Sequence, residues 1–225
     1  MTSTAPSSST AGARATRPAT APATAPATAP ATGPATDRGR RRRTAVLDAA
    51  EALFVAHGFH AVSVDDLGNA AGISGPGVYR HFASKDAVLM AVLDRIWERL
   101  APAVVAAEAA SPADALEVLL TAHLDLALER PAALELLLRE LVHLPADYQE
   151  LARRNHRRYV VAWARAIGAL RPELDAAEAR LLALAVHGLL DSTTLSGRLP
   201  SRGVRSEEYR ALLEAAARRV LAAGG

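Results

Sequence analysis

The chain has 225 residues, of which 50% are hydrophobic and none is cysteine. Without cysteine it can form no disulfide framework, no thiolate nucleophile and no metal site with cysteine ligands. The hydrophobic fraction suffices for one small and one medium domain, while the formal net charge of +2 is too low for a protein that only coats DNA.

Residues 1–37 form a low-complexity tail of Ala, Thr, Pro and Ser with the repeat ATAP. Frequent proline blocks helix and sheet, and few large apolar side chains are present to offset the entropy of ordering, so we expect disorder. The composition overlaps that of a transit peptide, but the prolines oppose an amphipathic helix and no apolar secretory segment is present. A cytoplasmic protein is the simpler expectation.

The next segment is a basic arm, residues 38–43, whose five arginines are Arg38, Arg40, Arg41, Arg42 and Arg43. Such a cluster can neutralise DNA phosphates or enter a minor groove, although it can also be the solubilising end of a linker. Residues 1–95 hold ten basic and seven acidic residues, giving +3, and residues 96–225 hold 16 and 17, giving −1. This asymmetry favours DNA contact by the arm.

A small domain is predicted at residues 44–90. Its first helix is predicted over 44–57, because apolar residues recur there at helical spacing, and Gly58 ends it. We expect this helix to brace the two helices that follow.

Two short helices with a glycine turn between them follow. Ser63 and Asp66 stand at the two ends of a capping box for the first. Gly72 suits the left-handed exit from that helix, and Ser74 caps a second helix predicted over 75–81. Helix, brief turn and helix is the plan of the helix-turn-helix motif.

The second of these helices carries three hydrogen-bonding side chains on consecutive positions, Tyr79, Arg80 and His81. Lys85, the only lysine, lies at the start of the following helix, where backbone N–H groups favour an anion. For any one of these residues a solvated polar face is an equally good explanation. Their combination and order favour DNA contact.

The segment from about Thr44 to Leu93 resembles the DNA-binding domain of the TetR family of bacterial transcriptional regulators. The residues that carry the resemblance are Phe54, Gly58, Phe59, Ser63, Val64, Leu67, Ala71 to Ser74, Tyr79, His81, Phe82 and Ser84 to Asp86.

The resemblance implies a DNA-contacting role for a set of these residues. By this resemblance the DNA backbone is held by Ser63, Tyr79, His81 and Lys85, and base edges or nearby phosphates are approached by Ser74, Gly75, Gly77 and Arg80. Many members have a hydroxyl or longer residue at the two glycine positions, so we expect base readout to depend on Arg80, which can reach guanine O6 and N7. Each glycine lowers helix propensity by about 1 kcal/mol relative to alanine, so we expect this helix to become fully ordered only when it binds DNA.

Residues 91–225 read as helix throughout, so the predicted fold is all-α, with about nine helices in an N-terminal helix-turn-helix domain and a C-terminal bundle. Helices are expected to begin near Ser84, Ser111, Pro131, Pro145, Asp175 and Ser206. Pro102 is expected to bend or end the first of them. No uncharged apolar run reaches 18 residues, so no membrane span is expected.

The last two predicted helices are rich in alanine and apolar over more than one face, which favours a homodimer through a four-helix interface. The alternative is a monomer in which this surface is internal. The family resemblance implies the dimer. A dimer would present two recognition helices about 34–36 Å apart, so double-stranded DNA with an inverted-repeat operator is the expected partner.

The resemblance also implies a small-molecule effector inside the bundle. No cofactor and no metal are expected, because the sequence has no phosphate-binding glycine loop and no clustered metal ligands. The candidate ligand-binding residues are His123, Arg139, His143, Tyr159, Trp163, His187 and Asp191. Their surroundings of Leu, Val and Ala suit a lipidic or aromatic ligand, but a histidine in such a place is more often a structural or surface residue than a ligand contact. The stretch from Arg139 to Trp163 is distantly similar to actinobacterial members that sense acyl-CoA thioesters.

We therefore expect a homodimeric repressor in which the effector tilts the helix beginning near Ser84 and lowers operator affinity. The competing classes are a sequence-blind DNA-packaging protein and an enzyme with a fortuitous helix-turn-helix. Against the enzyme, the segment GISGPG has the spacing of neither a dinucleotide-binding loop nor a nucleophile elbow.

Overall fold

The computed structural model of the protein describes residues 36–192, 194 and 206–222. The expected disorder of residues 1–37 is wrong for Thr36 and Asp37, which are the cap and the first residue of a helix, and its remainder, residues 1–35, lies outside the described residues. Within them the fold is all-α, with nine α-helices and one 3-10 turn, as the sequence predicts. The elements are α1 (Asp37–His57), α2 (Val64–Ala70), α3 (Gly75–Val78), α4 (Lys85–Ala109), α5 (Pro112–Glu129), α6 (Pro131–Glu140), the 3-10 turn (Leu141–His143), α7 (Ala146–Leu170), α8 (Ala176–Asp191) and α9 (Ser206–Ala222).

Helix α1 begins seven residues before the predicted start at Thr44, so that prediction is wrong and the basic arm is helical. Thr36 caps the helix: its Oγ1 accepts a hydrogen bond from the backbone N–H of Gly39 at 3.2 Å. Asp37 lies in the first turn, where a carboxylate is favourable to the helix dipole. Because arginine is a good helix former, a cap upstream is enough to extend the helix through residues 38–43.

The helix-turn-helix has a small core closed by a close approach of backbones. Phe54 and Phe59 pack edge to face with ring centroids 5.2 Å apart, and both side chains are buried. A Cβ atom on Gly68 would lie 2.9 Å from the backbone of residues 73–75, so glycine lets α2 cross the start of α3. Gly72, with φ of 68°, makes the turn in the left-handed conformation that the sequence predicts.

Helix α4 continues through Pro102 to Ala109, so the expectation that this proline can end the helix is wrong. Proline removes one backbone hydrogen bond, but α4 buries residues on both sides of it, including Leu100 and Val104. The helix packs against α1 and α6 and also against α5 and α7. It therefore belongs to both the helix-turn-helix and the bundle.

The bundle core lies among α4, α5, α7 and α8, with α9 packed on α5 and α8. Its largest fully buried side chain is Trp163, and the core is otherwise mostly leucine, valine and alanine. None of the helices within the described ranges is long and apolar enough to cross a membrane.

Candidate functional site

Ser63 caps α2 through the capping box that the sequence predicts. Its Oγ accepts a hydrogen bond from the backbone N–H of Asp66 at 3.1 Å, and its own backbone N–H donates to Asp66 Oδ2 at 2.8 Å. Hydrogen bonds from the Ser63 side chain and backbone hold the pKa of the Asp66 carboxyl below its usual value. Ser63 is an exposed residue, and its hydroxyl also donates a hydrogen bond to Asp66 Oδ2 at 2.6 Å, so this group is engaged within the capping box.

Helix α3 is shorter than the predicted range 75–81, since only Gly75–Val78 is regular helix. Ser74 Oγ accepts from the Gly77 N–H at 3.3 Å, as expected of a cap. The chain then continues in turns, with the His81 N–H donating to the Val78 carbonyl at 2.9 Å. Two glycines in four residues account for the short helix, because each disfavours the helical conformation.

The turn after α3 presents two exposed polar side chains and one that is half-buried. Tyr79 is 57% exposed and Arg80 is exposed, whereas His81 is half-buried. Gly75 is buried, because Asp65 lies over it: a Cβ atom there would fall 1.8 Å from Asp65 Oδ1. The structure thus gives Gly75 a packing role, in contrast to the expected open approach to DNA.

Lys85 is placed differently from the phosphate contact expected of it. Its Nζ donates to the backbone carbonyls of Phe59 at 2.9 Å and Val62 at 2.8 Å, and lies 4.4 Å from the Phe59 ring centroid. The ammonium group therefore ties the start of α4 to the loop between α1 and α2. The sequence does not predict this role, because backbone carbonyls 23 and 26 residues away leave no signal in the side-chain pattern.

The arginines at the start of α1 divide into two groups. Arg40 forms an ion pair with Asp37, and the guanidinium of Arg43 lies 5.0 Å from the ring centroid of Phe82. The other three are exposed and, at spacings of three and four, share one helix face: Arg38, Arg41 and Arg42.

Five of the seven predicted effector residues gather in the bundle core. His123 Nε2 lies 3.0 Å from Asp191 Oδ1, and His123 Nδ1 lies 3.2 Å from the Tyr159 hydroxyl. The ring of His187 stacks on Tyr159 with centroids 5.1 Å apart and meets Trp163 edge to face at 5.0 Å. These residues form what we call the aromatic–histidine cluster.

The cluster holds His187 in its neutral form. Burial, and then the nearby His123 and His156, lower the pKa of His187 to about 2. Burial also raises the pKa of Tyr159 far above its usual value. Neither His187 Nε2 nor Trp163 Nε1 has a hydrogen-bond partner within the part of the chain that the structure describes.

Arg139 and His143 do not join this cluster, so the expectation that they line the same site is corrected. Arg139 Nη2 donates to the Phe54 carbonyl at 2.8 Å, and its Nε donates to Glu140 at 2.8 Å. The ring of His143 lies 5.8 Å from that of His60. Both residues therefore lie where α6 and the 3-10 turn meet α1 and the loop after it.

A cavity of about 300 Å³ opens between α4 and α7 beside the cluster. Tyr159 lines it together with Trp97, Leu100 and Val104. The buried Trp97 Nε1 also has no hydrogen-bond partner among the described residues. Across those residues, no group of three or more His, Cys, Asp or Glu side chains is placed to hold a metal ion.

Comparison with known proteins identifies the helix-turn-helix segment. The family model described as "Bacterial regulatory proteins, tetR family" matches residues 46–92. The HTH-type transcriptional activator FasR of Mycolicibacterium smegmatis is 44% identical over 54 residues, which are 24% of this chain and 25% of that protein. Such matches cover between 25% and 32% of the length of the curated relatives, so they concern this domain alone.

Solved structures resemble the chain over both domains. A TetR-family transcriptional regulator from Bordetella parapertussis has a TM-score of 0.66 at 20% identity, covering 81% of this chain and 94% of the other. AibR, crystallised with isovaleryl coenzyme A and operator DNA, has a TM-score of 0.62 at 16% identity, covering 78% of this chain and 97% of AibR. At these identities the likeness shows the fold.

Proposed function

We propose that this chain, which belongs to the TetR family and is of actinobacterial type, is a ligand-responsive, DNA-binding repressor of transcription. The observation that carries the proposal is the exposed surface formed by Tyr79 and Arg80 at the end of a helix-turn-helix. Arginine beside a major groove can donate two hydrogen bonds to guanine, and a tyrosine hydroxyl can hold a phosphate.

The proposed DNA contacts extend beyond α3 in two directions. Ser63 is an exposed residue at the start of α2, and the half-buried His81 follows Arg80. The arginine face at the start of α1 adds positive charge that can neutralise phosphates. We place the DNA-binding domain in α1 to α3 with the start of α4, and the effector and dimerisation domain in the remaining helices.

Exposed leucines on the last two helices support a homodimer. Leu181 and Leu184 of α8 are 65% and 37% exposed, and Leu212 of α9 is 62% exposed. Gly188 continues the α8 face, at seven residues from Leu181, and nothing lies near the position of its absent Cβ. A small residue beside exposed leucines lets a second copy approach closely, which would give the symmetric arrangement that an inverted-repeat operator requires.

The α4–α7 cavity is the proposed effector site, because α4 reaches from that cavity to α1. An effector that displaces α4 would change the separation of the two DNA-binding surfaces. To weaken operator binding 100-fold, it must favour the released state by about 2.7 kcal/mol, an ordinary allosteric coupling energy. The apolar walls suit a lipidic or aromatic molecule, and the coenzyme A thioester bound by AibR supports acyl-CoA as one such class.

The proposal is tested by selecting fragmented genomic DNA on the purified full chain at about 150 mM salt, followed by sequencing. We expect enrichment of one or a few inverted repeats. Uniform recovery of all fragments would contradict specific regulation and would favour the competing DNA-packaging function.

A further inference from the structure

We infer that the effector is an amphipathic anion, held in a continuous groove between α4 and α7. Its apolar chain lies against Trp97 and Tyr159, and its acidic head group is held by Arg158 and Arg165. The inference rests on the proposed effector site and specifies the chemistry of its ligand.

The groove consists of two adjoining cavities. The first is the cavity of about 300 Å³ described above, and the second, of about 510 Å³, lies between the end of α4, the start of α5 and α7. Arg158 lines both, so the two are neighbours. Each has a volume typical of a small-molecule site.

The first cavity suits an apolar chain. Leu100, Val104 and Val105 form one wall, and Val105 is largely exposed even though it is an aliphatic residue. The buried Trp97 Nε1 in this wall lacks an acceptor within the described residues, and a ligand oxygen can supply one. Glu98 also lines this cavity, which disfavours an anionic head group at this end.

The second cavity suits an anionic head. Its floor consists mainly of alanines, and Arg158 and Arg165, two helical turns apart on α7, line it on the same face as Val161. Helix α7 carries five arginines and two carboxylates, a net charge of +3. A carboxylate or phosphate can accept paired hydrogen bonds from these guanidinium groups.

One carboxylate opposes this assignment. Glu108 lines the second cavity and forms an ion pair with Arg158 at 3.4 Å. The two side chains are 48% and 64% exposed, and an ion pair so accessible to water contributes little to stability. A ligand anion can therefore replace Glu108 as the partner of Arg158.

The test is calorimetric titration of the full chain with three ligands that share a twelve-carbon chain, dodecanoate, dodecyl phosphate and dodecanol, each below its micellar concentration. We expect one or both anions to bind about tenfold or more tightly than the alcohol, since two charge-assisted contacts are added. The tighter of the two identifies the head group as carboxylate or phosphate. Equal affinity for the alcohol and both anions would overturn the inference.

Variants locate the two halves of the ligand. Arg158→Gln with Arg165→Gln should lower the affinity for the two anions about tenfold and leave the affinity for dodecanol unchanged. Ala101→Trp, which fills the first cavity, should lower the affinity for all three ligands. Arg154→Gln is the matched control, because Arg154 is an exposed α7 arginine that pairs with Glu150 and lines neither cavity. An unchanged anion affinity in the double variant would refute the arginine assignment.

DNA binding by the same preparations separates this inference from the proposed function. Specific DNA binding without anion binding rejects the inference and leaves the regulator intact. Anion binding without specific DNA binding rejects the proposed function.

Discussion

Lys85 and Tyr79 illustrate two kinds of polar residue in the helix-turn-helix. The Lys85 ammonium is bonded to two backbone carbonyls, whereas most of the Tyr79 side chain is exposed. A polar group with protein partners stabilises the fold, and one exposed beside the proposed DNA surface is available to a ligand.

Substituting these two residues should therefore have opposite consequences. Lys85→Met keeps the apolar stem but removes the donor, so we expect a loss of about 1–3 kcal/mol in the free energy of unfolding, measured by urea denaturation. Tyr79→Ala should change that free energy by less than about 0.5 kcal/mol but weaken DNA binding. If Tyr79→Ala leaves operator affinity unchanged, the proposed docking surface is wrong.

Gly68 and Gly168 provide a second contrast at the residue scale. Gly68→Ala would place a Cβ atom 2.9 Å from the backbone of α3, so we expect destabilisation by about 1–3 kcal/mol. Gly168→Ala places its Cβ in ordinary contact with Ala179 at 3.8 Å within a helix, and should stabilise by about 0.5–1 kcal/mol. Equal unfolding midpoints for the two variants would contradict the close crossing of α2 and α3.

His187 should make stability depend on pH. Its native pKa of about 2 lies below the ordinary value of 6.5, so below pH 6.5 the unfolded chain binds a proton that the folded chain does not. The free energy of unfolding therefore decreases as the pH falls. This group contributes a decrease of about 2 kcal/mol between pH 7.5 and pH 5. His187→Gln should flatten the pH dependence of the unfolding free energy, and a dependence as steep as that of the unsubstituted chain would contradict this assignment.

The residue-scale features that sequence predicts are the local ones. The caps at Ser63 and Ser74 join groups three residues apart, so the pattern of residue types contains them. The partners of Lys85 lie 26 and 23 residues away and are backbone carbonyls. The close approach at Gly68 depends on how two helices cross, which composition does not specify.

At the scale of elements, the helical start of α1 changes how the basic cluster can act. An extended arm could follow a groove with all five arginines, whereas a helix spreads them around its axis and places Arg38, Arg41 and Arg42 together on one face. We therefore expect contacts to phosphates from one face of α1.

Replacing Arg38, Arg41 and Arg42 by glutamine should flatten the salt dependence of DNA binding. The slope of log K against log salt concentration should decrease by up to about 0.9 for each phosphate that the arginines no longer neutralise. The matched control replaces Arg153, Arg154 and Arg157 of α7 by glutamine. It removes the same number of positive charges at a part of the sequence distant from the helix-turn-helix. Equal slopes in the two triple variants would mean that the α1 face binds no phosphate.

Helical spacing also explains why five of the seven effector candidates lie together in the aromatic–histidine cluster. Tyr159 and Trp163 are four residues apart on α7, and His187 and Asp191 are four apart on α8, so each pair shares a face. Arg139 and His143 have the same spacing, but their segment packs against α1 instead. Spacing along one helix specifies a face and does not specify the helix that covers it.

At the scale of the whole molecule, α4 packs against α1 and against the bundle helices α5 and α7, and the proposed dimer would join two copies through α8 and α9. The all-α class and the order of the helices follow from apolar periodicity, which is strong in long helices. Apolar periodicity does not predict that α4 continues through Pro102, because tertiary packing on both sides of the proline outweighs one missing hydrogen bond.

The proposed dimer predicts the effect of charge on the α8 face. Leu181→Glu with Leu184→Glu should convert the dimer to a monomer in sedimentation equilibrium, because like charges would face each other across the symmetric interface. Leu138→Glu is the control, since Leu138 is 66% exposed on α6, outside this face. A double variant that remains dimeric would place the interface elsewhere.

The most direct test of sequence-specific regulation is the affinity of the full chain for its selected inverted repeat relative to an unrelated duplex of equal length, at about 150 mM salt. We predict a ratio of at least about 1,000 for the unsubstituted chain, and a decrease of about tenfold or more in Arg80→Ala. A ratio near one, or a ratio that does not change in Arg80→Ala, would contradict the account.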